Sequence, residues 1–363
     1  MRAIIYDIKP LGWVACKLLR HVWRGCLVSP INGVSVQDLP TPPLPGDDWV
    51  RVRTLLGGIC GTDLAILAQK QLPNSILQAF SSMPMGLGHE NVAVVEQVGP
   101  AVDAAWVGKR VCVEPTLGCQ ARGIEPMCAR CQAGEFGACE NFGAAGRGKY
   151  NLPAGTSIGY NAATGGSLGE TFMAHQSQLV ALPTEIPDEL AVLTDPLACS
   201  LHSALRADLS DARTVLVYGS GVLGLGAVAC LRAIGFSGRI DVVGRYGYLD
   251  NLARQFGADE VLRLPHRKLQ RFTAVAERTG ADVQKVRLGN VMMTGGYDVI
   301  FDCVGSRQST QECIKWTRAR GQVVMVGTGD GGGADMTPIW FRELTVLGAY
   351  GRQVENFRGE RIG

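Results

Sequence analysis

The chain has 363 residues, of which 46% are hydrophobic and 19% are charged, and its formal net charge is +2 at pH 7. This composition excludes disordered and fibrous proteins, and the length allows two domains, each with its own core. A net charge so close to zero argues against nucleic acid or a membrane surface as a partner. No segment is long and apolar enough to span a membrane, and no signal-peptide cleavage site follows the basic stretch at 11–28. We therefore expect a cytoplasmic protein, with a mitochondrial presequence left open.

The twelve cysteines are distributed unevenly. Four of them lie between Cys119 and Cys139, whereas the others are scattered singly. This pattern favours reduced, metal-binding thiols over a disulfide framework. We interpret the following isolated cysteines as small buried hydrophobic residues: Cys16, Cys26, Cys112, Cys199, Cys230, Cys303 and Cys313.

The first half of the chain predicts a β-rich domain. Short apolar runs typical of strands, separated by glycine and proline, lie at residues 2–6, 49–54, 92–98 and 110–114. Residues 11–28 interrupt this pattern with apolar side chains at helical spacing and basic residues between them. They predict a surface helix packed on the domain, with a lid or a subunit contact as the sharper alternative. Residues 143–169, rich in Gly, Ala and Asn, predict a long loop.

From about Arg206 the pattern changes to strands that alternate with helices. The predicted strands are 213–218, 240–243, 298–303, 322–326 and 344–347, and the predicted helices between them are 222–234, 249–256 and 308–316. Such alternation requires a parallel sheet covered by helices on both faces. We therefore place a domain boundary near this residue.

A glycine-rich turn at 218–224 reads Tyr-Gly-Ser-Gly-Val-Leu-Gly and matches the pattern GxGxxG. It follows a predicted strand and opens a predicted helix, which is the context in which this pattern indicates dinucleotide binding. The glycines permit a tight turn, close approach of the pyrophosphate, and packing of helix on strand; the phosphates then bind free amides at the helix N-terminus. A purely structural turn is the alternative. The predicted cofactor-binding residues are Gly219, Ser220, Gly221, Val222, Leu223 and Gly224.

The end of the second strand decides which nicotinamide cofactor is bound. An acid there holds the 2′-hydroxyl of NAD, whereas an arginine accommodates the 2′-phosphate of NADP. The position is Gly244, followed by Arg245, and the nearest acid, Asp241, lies inside the strand. We therefore predict NADP, with Gly244 and Arg245 at the phosphate. NAD stays possible, and a solvated arginine without a cofactor role is the alternative.

Two glycine-bracketed turns carry candidate ligands for a metal ion. Cys60 stands in Gly-Ile-Cys-Gly-Thr-Asp at 58–63, and His89 stands in Gly-Leu-Gly-His-Glu at 86–90. A short helix is predicted between them, from Asp63 to Gln71. Sulfur and imidazole are good zinc ligands, and three protein ligands with an open position make a catalytic site. On this pair alone, two unrelated core residues are the more frequent explanation.

A second group, Cys119, Cys128, Cys131 and Cys139, has the spacing of a structural zinc site. Four thiolates that close a tetrahedron around zinc hold together a loop that is too irregular to hold itself. The last three cysteines form a compact knuckle, and the identity of the first ligand is open. We prefer Cys119 because four sulfurs suit zinc better than three and a carboxylate, with Glu125 as the alternative. A disulfide between two of these cysteines is the alternative to a zinc site.

Along the chain, the turn at 58–63 is followed by the turn at 86–90, the cysteine group at 119–139 and the glycine-rich turn at 218–224. These four motifs, in this chain order, resemble those of the zinc-dependent medium-chain alcohol and polyol dehydrogenases, over about residues 47–351. The resemblance implies an α/β protein in which a GroES-like β-rich catalytic domain precedes a Rossmann domain, with the active site in the cleft between them. The corresponding ranges are 1–205 and 206–350, and 351–363 begin a return to the first domain. The resemblance also implies a homodimer or homotetramer.

Position by position, the resemblance assigns Cys60, His89 and Asp195 as ligands of the catalytic zinc. Glu90 is then either a neighbouring ligand or a residue that moves onto the metal during turnover. Thr62 relays the substrate proton, and Asp63 orients the metal site. A plain helix-capping role is the alternative for Asp195.

The chain departs from the family at three places. Ala65 stands where some members have a relay histidine, residues 11–28 are an unusual insert, and the sequence stops at Gly363, where members normally complete the catalytic domain. The predicted function is zinc-dependent hydride transfer between a small alcohol, polyol or sugar and NADP. A truncated or non-catalytic homologue that binds nucleotide and zinc is the alternative.

Overall fold

The computed structural model describes residues 1–70, 75–329 and 333–362. The chain divides into two compact units: unit 1 comprises Met1–Asp195 with Arg352–Gly363, and unit 2 comprises Pro196–Gly351. Among the described residues, no helix combines the length and the apolar composition needed to cross a bilayer.

Unit 1 is built on antiparallel strands. Their bounds are β1 (Arg2–Tyr6), β2 (Val34–Asp38), β3 (Trp49–Gly57), β4 (Met85–Gly86), β5 (Asn91–Val98), β6 (Arg110–Val113), β7 (Thr171–His175) and β8 (Leu179–Ala181). They form a five-stranded sheet, β7-β3-β5-β6-β8, and a three-stranded sheet, β2-β1-β4. The five-stranded sheet carries a fully buried core that includes Trp49, Val52, Val111 and Phe172. Side chains that alternate between the two faces of each strand supply this core.

The helices that begin in unit 1 are short. Their bounds are α1 (Pro10–Leu19), α2 (Gly61–Leu67), α3 (Cys119–Arg122), α4 (Ala129–Gln132), α5 (Asp188–Ala191) and α6 (Thr194–Arg206), the last of which continues into unit 2. The helix predicted from Asp63 to Gln71 corresponds to α2, which begins earlier and ends earlier. Gln71 itself lies outside the described residues.

The insert predicted at 11–28 is helical, but its apolar stripe does not pack on the domain. Leu11, Leu18 and Val22 are 86%, 70% and 87% exposed. The buried side of α1 is instead carried by Cys16, which contacts Cys26 in the following 3-10 turn, Arg24–Val28. Helical spacing therefore identified the helix, whereas the face that packs is a different one.

Unit 2 contains a parallel sheet with interleaved helices. The strands are β9 (Thr214–Tyr218), β10 (Arg239–Val243), β11 (Glu260–Leu262), β12 (Asp282–Lys285), β13 (Val291–Thr294), β14 (Tyr297–Asp302), β15 (Thr317–Met325) and β16 (Thr345–Gly348). The helices are α7 (Val222–Ala233), α8 (Asp250–Gln255), α9 (Lys268–Thr279), α10 (Arg307–Trp316) and α11 (Thr337–Phe341).

The order of the six parallel strands, β11-β10-β9-β14-β15-β16, confirms the predicted Rossmann arrangement. The chain runs outward from β9 in one direction and then restarts beside it with β14. Ligands of such sheets bind at the carboxyl ends of the strands where this reversal occurs. Strands β12 and β13 form a separate antiparallel hairpin that the sequence analysis did not predict.

The last described residues return to unit 1. Strands β17 (Glu355–Phe357) and β18 (Glu360–Ile362) form an antiparallel hairpin. The Val354 amide donates a hydrogen bond to the Gly134 carbonyl at 3.0 Å. The chain therefore contacts the loop of the four clustered cysteines after it leaves unit 2.

Candidate active site

The pairing of β3 with β5 brings the two candidate metal-binding turns together. Gly57, the last residue of β3, lies opposite Asn91, the first residue of β5. The pairing extends into the turns, because the Gly58 amide donates to the Glu90 carbonyl at 3.1 Å. A Cβ atom at Gly58 would lie 2.7 Å from Cβ of Glu90, so a larger residue at this position would displace Glu90. Cys60 and His89 therefore emerge at the same end of one strand pair.

Cys60, His89 and Glu90 form a compact group of possible metal ligands. The sulfur, a ring nitrogen and a carboxylate oxygen all lie within 4.8 Å of one another. This donor set suits zinc, which accepts sulfur, nitrogen and oxygen ligands and uses three of them in catalytic sites. Asp195, the ligand expected from the resemblance, is not a member of this group. Its Oδ1 forms an ion pair with Nη1 of Arg352 at 2.7 Å.

The start of α2 fixes the position of the Cys60 side chain. Cys60 is the N-cap residue, and its amide donates to Oδ2 of Asp63 at 3.0 Å. The Sγ atom of Cys60 lies 3.7 Å from Oγ1 of Thr62. Thr62 is thus adjacent to the sulfur, whereas the Asp63 carboxylate contacts the Cys60 backbone. These contacts are compatible with the predicted relay and orienting roles, which stay predictions.

Burial disfavours charge throughout this group. It raises the pKa of Cys60 to about 12, and burial together with the charges of Asp195 and Asp63 raises the pKa of Glu90 to about 7. Burial and the nearby Arg352 lower the pKa of His89 to about 4. Oδ1 of Asp63 is buried and has no hydrogen-bond partner among the described residues. A divalent cation would stabilise the deprotonated thiol and carboxylates, so the residues fit a zinc ion.

The four clustered cysteines also fit zinc. Their sulfur atoms lie within 4.8 Å of one another, and Sγ of Cys119 is 3.7 Å from Sγ of Cys139. Zinc–sulfur bonds of about 2.3 Å give a tetrahedron with edges of about 3.8 Å. The backbone amide of Cys128 donates to Sγ of Cys119 at 3.4 Å, and that of Asn141 donates to Sγ of Cys139 at 3.3 Å. Such donors stabilise thiolates. Cys119 belongs to the group, whereas Glu125 does not.

The predicted cofactor turn lies at the carboxyl end of β9. Gly219 has φ of +110°, a backbone conformation that favours glycine. A Cβ at Gly224 would lie 1.8 Å from the Gly219 carbonyl oxygen. The backbone of the turn therefore requires glycine at both positions. At Gly221, the N-cap of α7, an added Cβ would meet nothing within 4 Å. The fold does not explain this glycine, whereas close approach of a ligand to the backbone does. Ser220 is buried, and Val222 and Leu223 begin the helix.

The end of β10 carries the residues that are predicted to select the cofactor. Asp241 is buried and engaged, because it pairs with Arg278 at 2.8 Å and accepts a hydrogen bond from the Tyr297 hydroxyl at 2.7 Å. It is therefore directed away from the cofactor turn into this network. Gly244 follows the strand and Arg245 is exposed.

A second acid, Asp250, lies beside this turn and was not predicted from the sequence. A Cβ at Gly244 would lie 3.1 Å from Oδ1 of Asp250, and this oxygen has no hydrogen-bond partner among the described residues. Oδ2 of Asp250 accepts two hydrogen bonds from Arg263, at 3.0 and 2.8 Å. Arg263 also donates to the Arg245 carbonyl at 3.2 Å. An acid and two arginines therefore lie beside Gly244, the position that is predicted to distinguish NAD from NADP.

Comparison with known proteins gives the family. Residues 46–184 match the alcohol dehydrogenase GroES-like domain, and residues 222–360 match the zinc-binding dehydrogenase domain. An L-threonine 3-dehydrogenase of Aeromonas salmonicida (strain A449) is 30% identical over 89% of this chain and 82% of its own length. The chain belongs to the zinc-dependent medium-chain dehydrogenases.

Other relatives of this dehydrogenase act on different alcohols. A sorbitol dehydrogenase of Arabidopsis thaliana is 28% identical over 88% of this chain and 78% of its own length. The crystal structure of a candidate zinc-binding dehydrogenase from Sinorhizobium meliloti 1021 bound to NADP has a TM-score of 0.66 and 26% identity. The match covers 90% of this chain and 83% of that one.

These comparisons confirm the predicted family, the two-part α/β fold with GroES-like and Rossmann domains, and the class of oxidoreductase that uses zinc and a nicotinamide cofactor. They give no support to a non-catalytic homologue. The individual site residues of this dehydrogenase stay predictions.

Two further contacts near the metal group were not found from the sequence. Arg352 bridges Asp195 and Glu114, with its Nε 3.0 Å from Oε1 of Glu114. The hydroxyl of Tyr160 lies 3.4 Å from Nδ1 of His89. Tyr160 belongs to the long loop predicted at 143–169, but no motif marks it. Arg352 and Glu114 are 238 positions apart, and no sequence pattern links them.

Proposed function

We propose that this dehydrogenase transfers hydride between the carbinol carbon of a small alcohol, polyol or sugar and NADP. The observation that carries this proposal is the sulfur, nitrogen and oxygen group formed by half-buried Cys60 with buried His89 and Glu90. The sorbitol dehydrogenase among the relatives supports a polyol as the substrate class. We also propose a homodimer or homotetramer and a cytoplasmic location. The proposed divisions of the chain are a catalytic domain at 1–205, a cofactor-binding domain at 206–350 and a segment at 351–363 that returns to the first domain.

Cys60, His89 and Glu90 would hold the catalytic zinc, with Asp195 as a further carboxylate of the same buried region. When bound, zinc supplies a Lewis acid that favours loss of the hydroxyl proton of the substrate. The Thr62 hydroxyl, next to the sulfur, receives that proton. Asp63 orients the site by fixing the Cys60 amide. Because Ala65 replaces the relay histidine of some relatives, the proton leaves through water or another group.

NADP is the proposed cofactor because Gly244 carries no carboxylate and Arg245 is exposed beside it. Gly219 to Gly224 would hold the pyrophosphate at the N-terminus of α7. The NADP-bound structure among the similar proteins supports this choice. NAD is the second candidate, favoured by the free Oδ1 of Asp250 next to Gly244. An acid at this position accepts a hydrogen bond from the 2′-hydroxyl of NAD.

The metal role is tested by zinc content and turnover in Cys60→Ser. We expect the unaltered protein to bind one zinc ion in each of its two ligand groups, and the variant to lose the zinc of the Cys60 group. The variant should lose turnover, followed as absorbance of the reduced cofactor with a panel of alcohols, polyols and aldoses. It should keep NADP binding. Cys112→Ser, which removes a buried thiol outside both groups, is the matched control and should keep both ions. Turnover retained by Cys60→Ser would refute the proposal.

A further inference from the structure

Two thiols lie in contact inside the insert, away from both metal groups. Cys16 is on α1 and Cys26 is in the 3-10 turn that follows, ten positions later. Their sulfur atoms are 3.3 Å apart, and Sγ of Cys26 also lies 3.7 Å from the Cys16 carbonyl oxygen. Both side chains are fully buried. Each of them was predicted from the sequence to be a small buried hydrophobic residue. That interpretation does not explain why the two sulfurs are in contact.

A metal ion is a poor explanation of this pair. No third Cys, His, Asp or Glu of the described residues completes a ligand group with them, and zinc sites of proteins use three or four such ligands. A disulfide needs the two sulfurs to approach to about 2.05 Å, which is roughly 1.3 Å closer than they are. The two sulfurs are already in contact, and only ten positions separate the two cysteines. Disulfide formation is therefore the reaction that this pair can undergo.

The insert is also attached to the helix that begins at Cys60. The side-chain amide Nε2 of Gln69, just beyond the C-terminal end of α2, donates to the Trp13 carbonyl at 3.1 Å and to Oδ1 of Asn32 at 2.8 Å. Asn32 is buried. Its side-chain amide Nδ2 donates to the Leu67 carbonyl at 2.8 Å and to the Leu27 carbonyl at 2.7 Å. These bonds satisfy a carbonyl that the helix end leaves free. Trp13 and Asn32, which stand before Cys16 and after Cys26 in the chain, therefore both bind the C-terminal end of α2.

We propose that Cys16 and Cys26 form a reversible disulfide, which makes residues 10–32 a redox-sensitive clamp on the C-terminal end of α2. The proposal is independent of the substrate and of the choice between NAD and NADP.

Glutathione disulfide is a sufficient oxidant for this step. The thiolate of one cysteine attacks a sulfur of glutathione disulfide and displaces one glutathione thiolate, which leaves a mixed disulfide. The second cysteine then attacks the protein sulfur of that intermediate and displaces the second glutathione. Two protein thiols lose two protons and two electrons, and two molecules of glutathione are formed. Burial of Cys16, with Cys26 beside it, raises the pKa of Cys16 to about 11. Exchange therefore requires local opening of the insert and is slow.

The disulfide is tested by peptide mapping of the full, zinc-loaded chain. The protein is equilibrated in buffers of defined reduced and oxidised glutathione ratio, free thiols are alkylated in denaturant, and the chain is digested with trypsin. We expect peptides Ala3–Lys17 and Gly25–Arg51 to be found joined, two hydrogens lighter than their sum. Peptide Gln308–Lys315, which contains the single buried thiol Cys313, is the internal control and should be fully alkylated.

The clamp is tested by stability and hydrogen exchange. Oxidation should raise the unfolding midpoint of the chain by roughly 5–10 °C and slow amide exchange at residues 65–69. Cys16→Ser and Cys26→Ser should each abolish the difference between oxidised and reduced protein. If both peptides are fully alkylated at every glutathione ratio, or are joined to other cysteines, there is no such disulfide. If they are joined but exchange at 65–69 is unchanged, the clamp is wrong. Neither result depends on whether the serine variants fold.

Discussion

The Arg352 guanidinium joins two carboxylates of unit 1 that lie far apart in the sequence. It contacts Asp195 at 2.7 Å and Glu114 at 3.0 Å, and the three side chains are 14%, 5% and 21% exposed. Burial raises the pKa of Asp195, and the positive charge of Arg352 opposes this rise. Burial of a charged pair costs desolvation, so the pair contributes little net stability, but loss of one partner leaves an uncompensated charge.

Replacement of Arg352 should therefore destabilise unit 1 strongly. We expect Arg352→Met to lower its free energy of unfolding by about 3 kcal/mol, measured by urea denaturation. Arg320→Met is the matched control, because Arg320 pairs with Glu343 through side chains that are 79% and 65% exposed. Exposed pairs are worth about 0–1 kcal/mol. Equal effects of the two substitutions would mean that Arg352 does not neutralise Asp195.

Arg245 is the residue on which the cofactor prediction depends. If its guanidinium binds the 2′-phosphate, Arg245→Ala should weaken NADPH binding roughly tenfold or more and leave NADH binding unchanged, measured by fluorescence titration. Arg254→Ala, which removes an exposed arginine of α8, is the control. Asp250→Asn separates the second candidate, because it should weaken NADH binding if Oδ1 holds a ribose hydroxyl. Equal affinity of Arg245→Ala and the unaltered protein for NADPH would exclude the proposed contact.

At the scale of elements, the turn between β9 and α7 is where sequence and structure agree most closely. The predicted strand 213–218 and helix 222–234 correspond to Thr214–Tyr218 and Val222–Ala233. The agreement is close because Val215, Leu216 and Val217 form a continuous buried apolar run, and because Gly219 and Gly224 have backbone requirements that other residues do not meet. Helix α1 was predicted less completely. Periodicity located it, but the exposure of Leu11 and Leu18 depends on which surface is available for packing, and local sequence does not contain that information.

Two glycines of this turn should respond differently to the same substitution. A Cβ at Gly224 would lie 1.8 Å from a backbone oxygen, so Gly224→Ala should lower the free energy of unfolding of unit 2 by about 3 kcal/mol. A Cβ at Gly221 meets nothing within 4 Å, so Gly221→Ala should fold with an unchanged melting temperature. Its effect should instead be weaker NADPH binding, by roughly tenfold, because the added methyl group blocks the pyrophosphate. Unchanged binding in Gly221→Ala would contradict the assigned phosphate site.

At the scale of the whole molecule, the sequence predicted the motifs better than the contacts between them. The cysteine spacing was sufficient to predict the group at 119–139, because its members are close in the chain. The contact of Cys60 with Glu90 depends on the register of β3 against β5, and the contact of Arg352 with Asp195 depends on the return of the chain to unit 1. Pairings of this kind are set by tertiary packing, so a single sequence gives only the residues and not their partners.

The return to unit 1 makes the cysteine loop a support for the last described residues. A Cβ at Gly137, between Cys131 and Cys139, would lie 2.7 Å from the Arg352 carbonyl oxygen. The Val354 amide donates to the Gly134 carbonyl at 3.0 Å. Short helices such as α4 are not stable by themselves, so we expect this loop to depend on the proposed zinc ion for its shape. Loss of the structural zinc should therefore release the returning segment as well.

Chelation of the Cys60→Ser variant isolates this effect, because only the cysteine group should then hold zinc. Hydrogen exchange should accelerate at 128–139 and at 352–362, since both segments lose their defined backbone contacts. Exchange in β9, at the centre of the unit 2 sheet, should not change and serves as the internal control. Readdition of zinc should restore protection in both segments together, because the same sulfur ligands hold the loop that the returning chain contacts. Protection at 352–362 that survives complete chelation would mean that this segment is held in place by contacts independent of the metal.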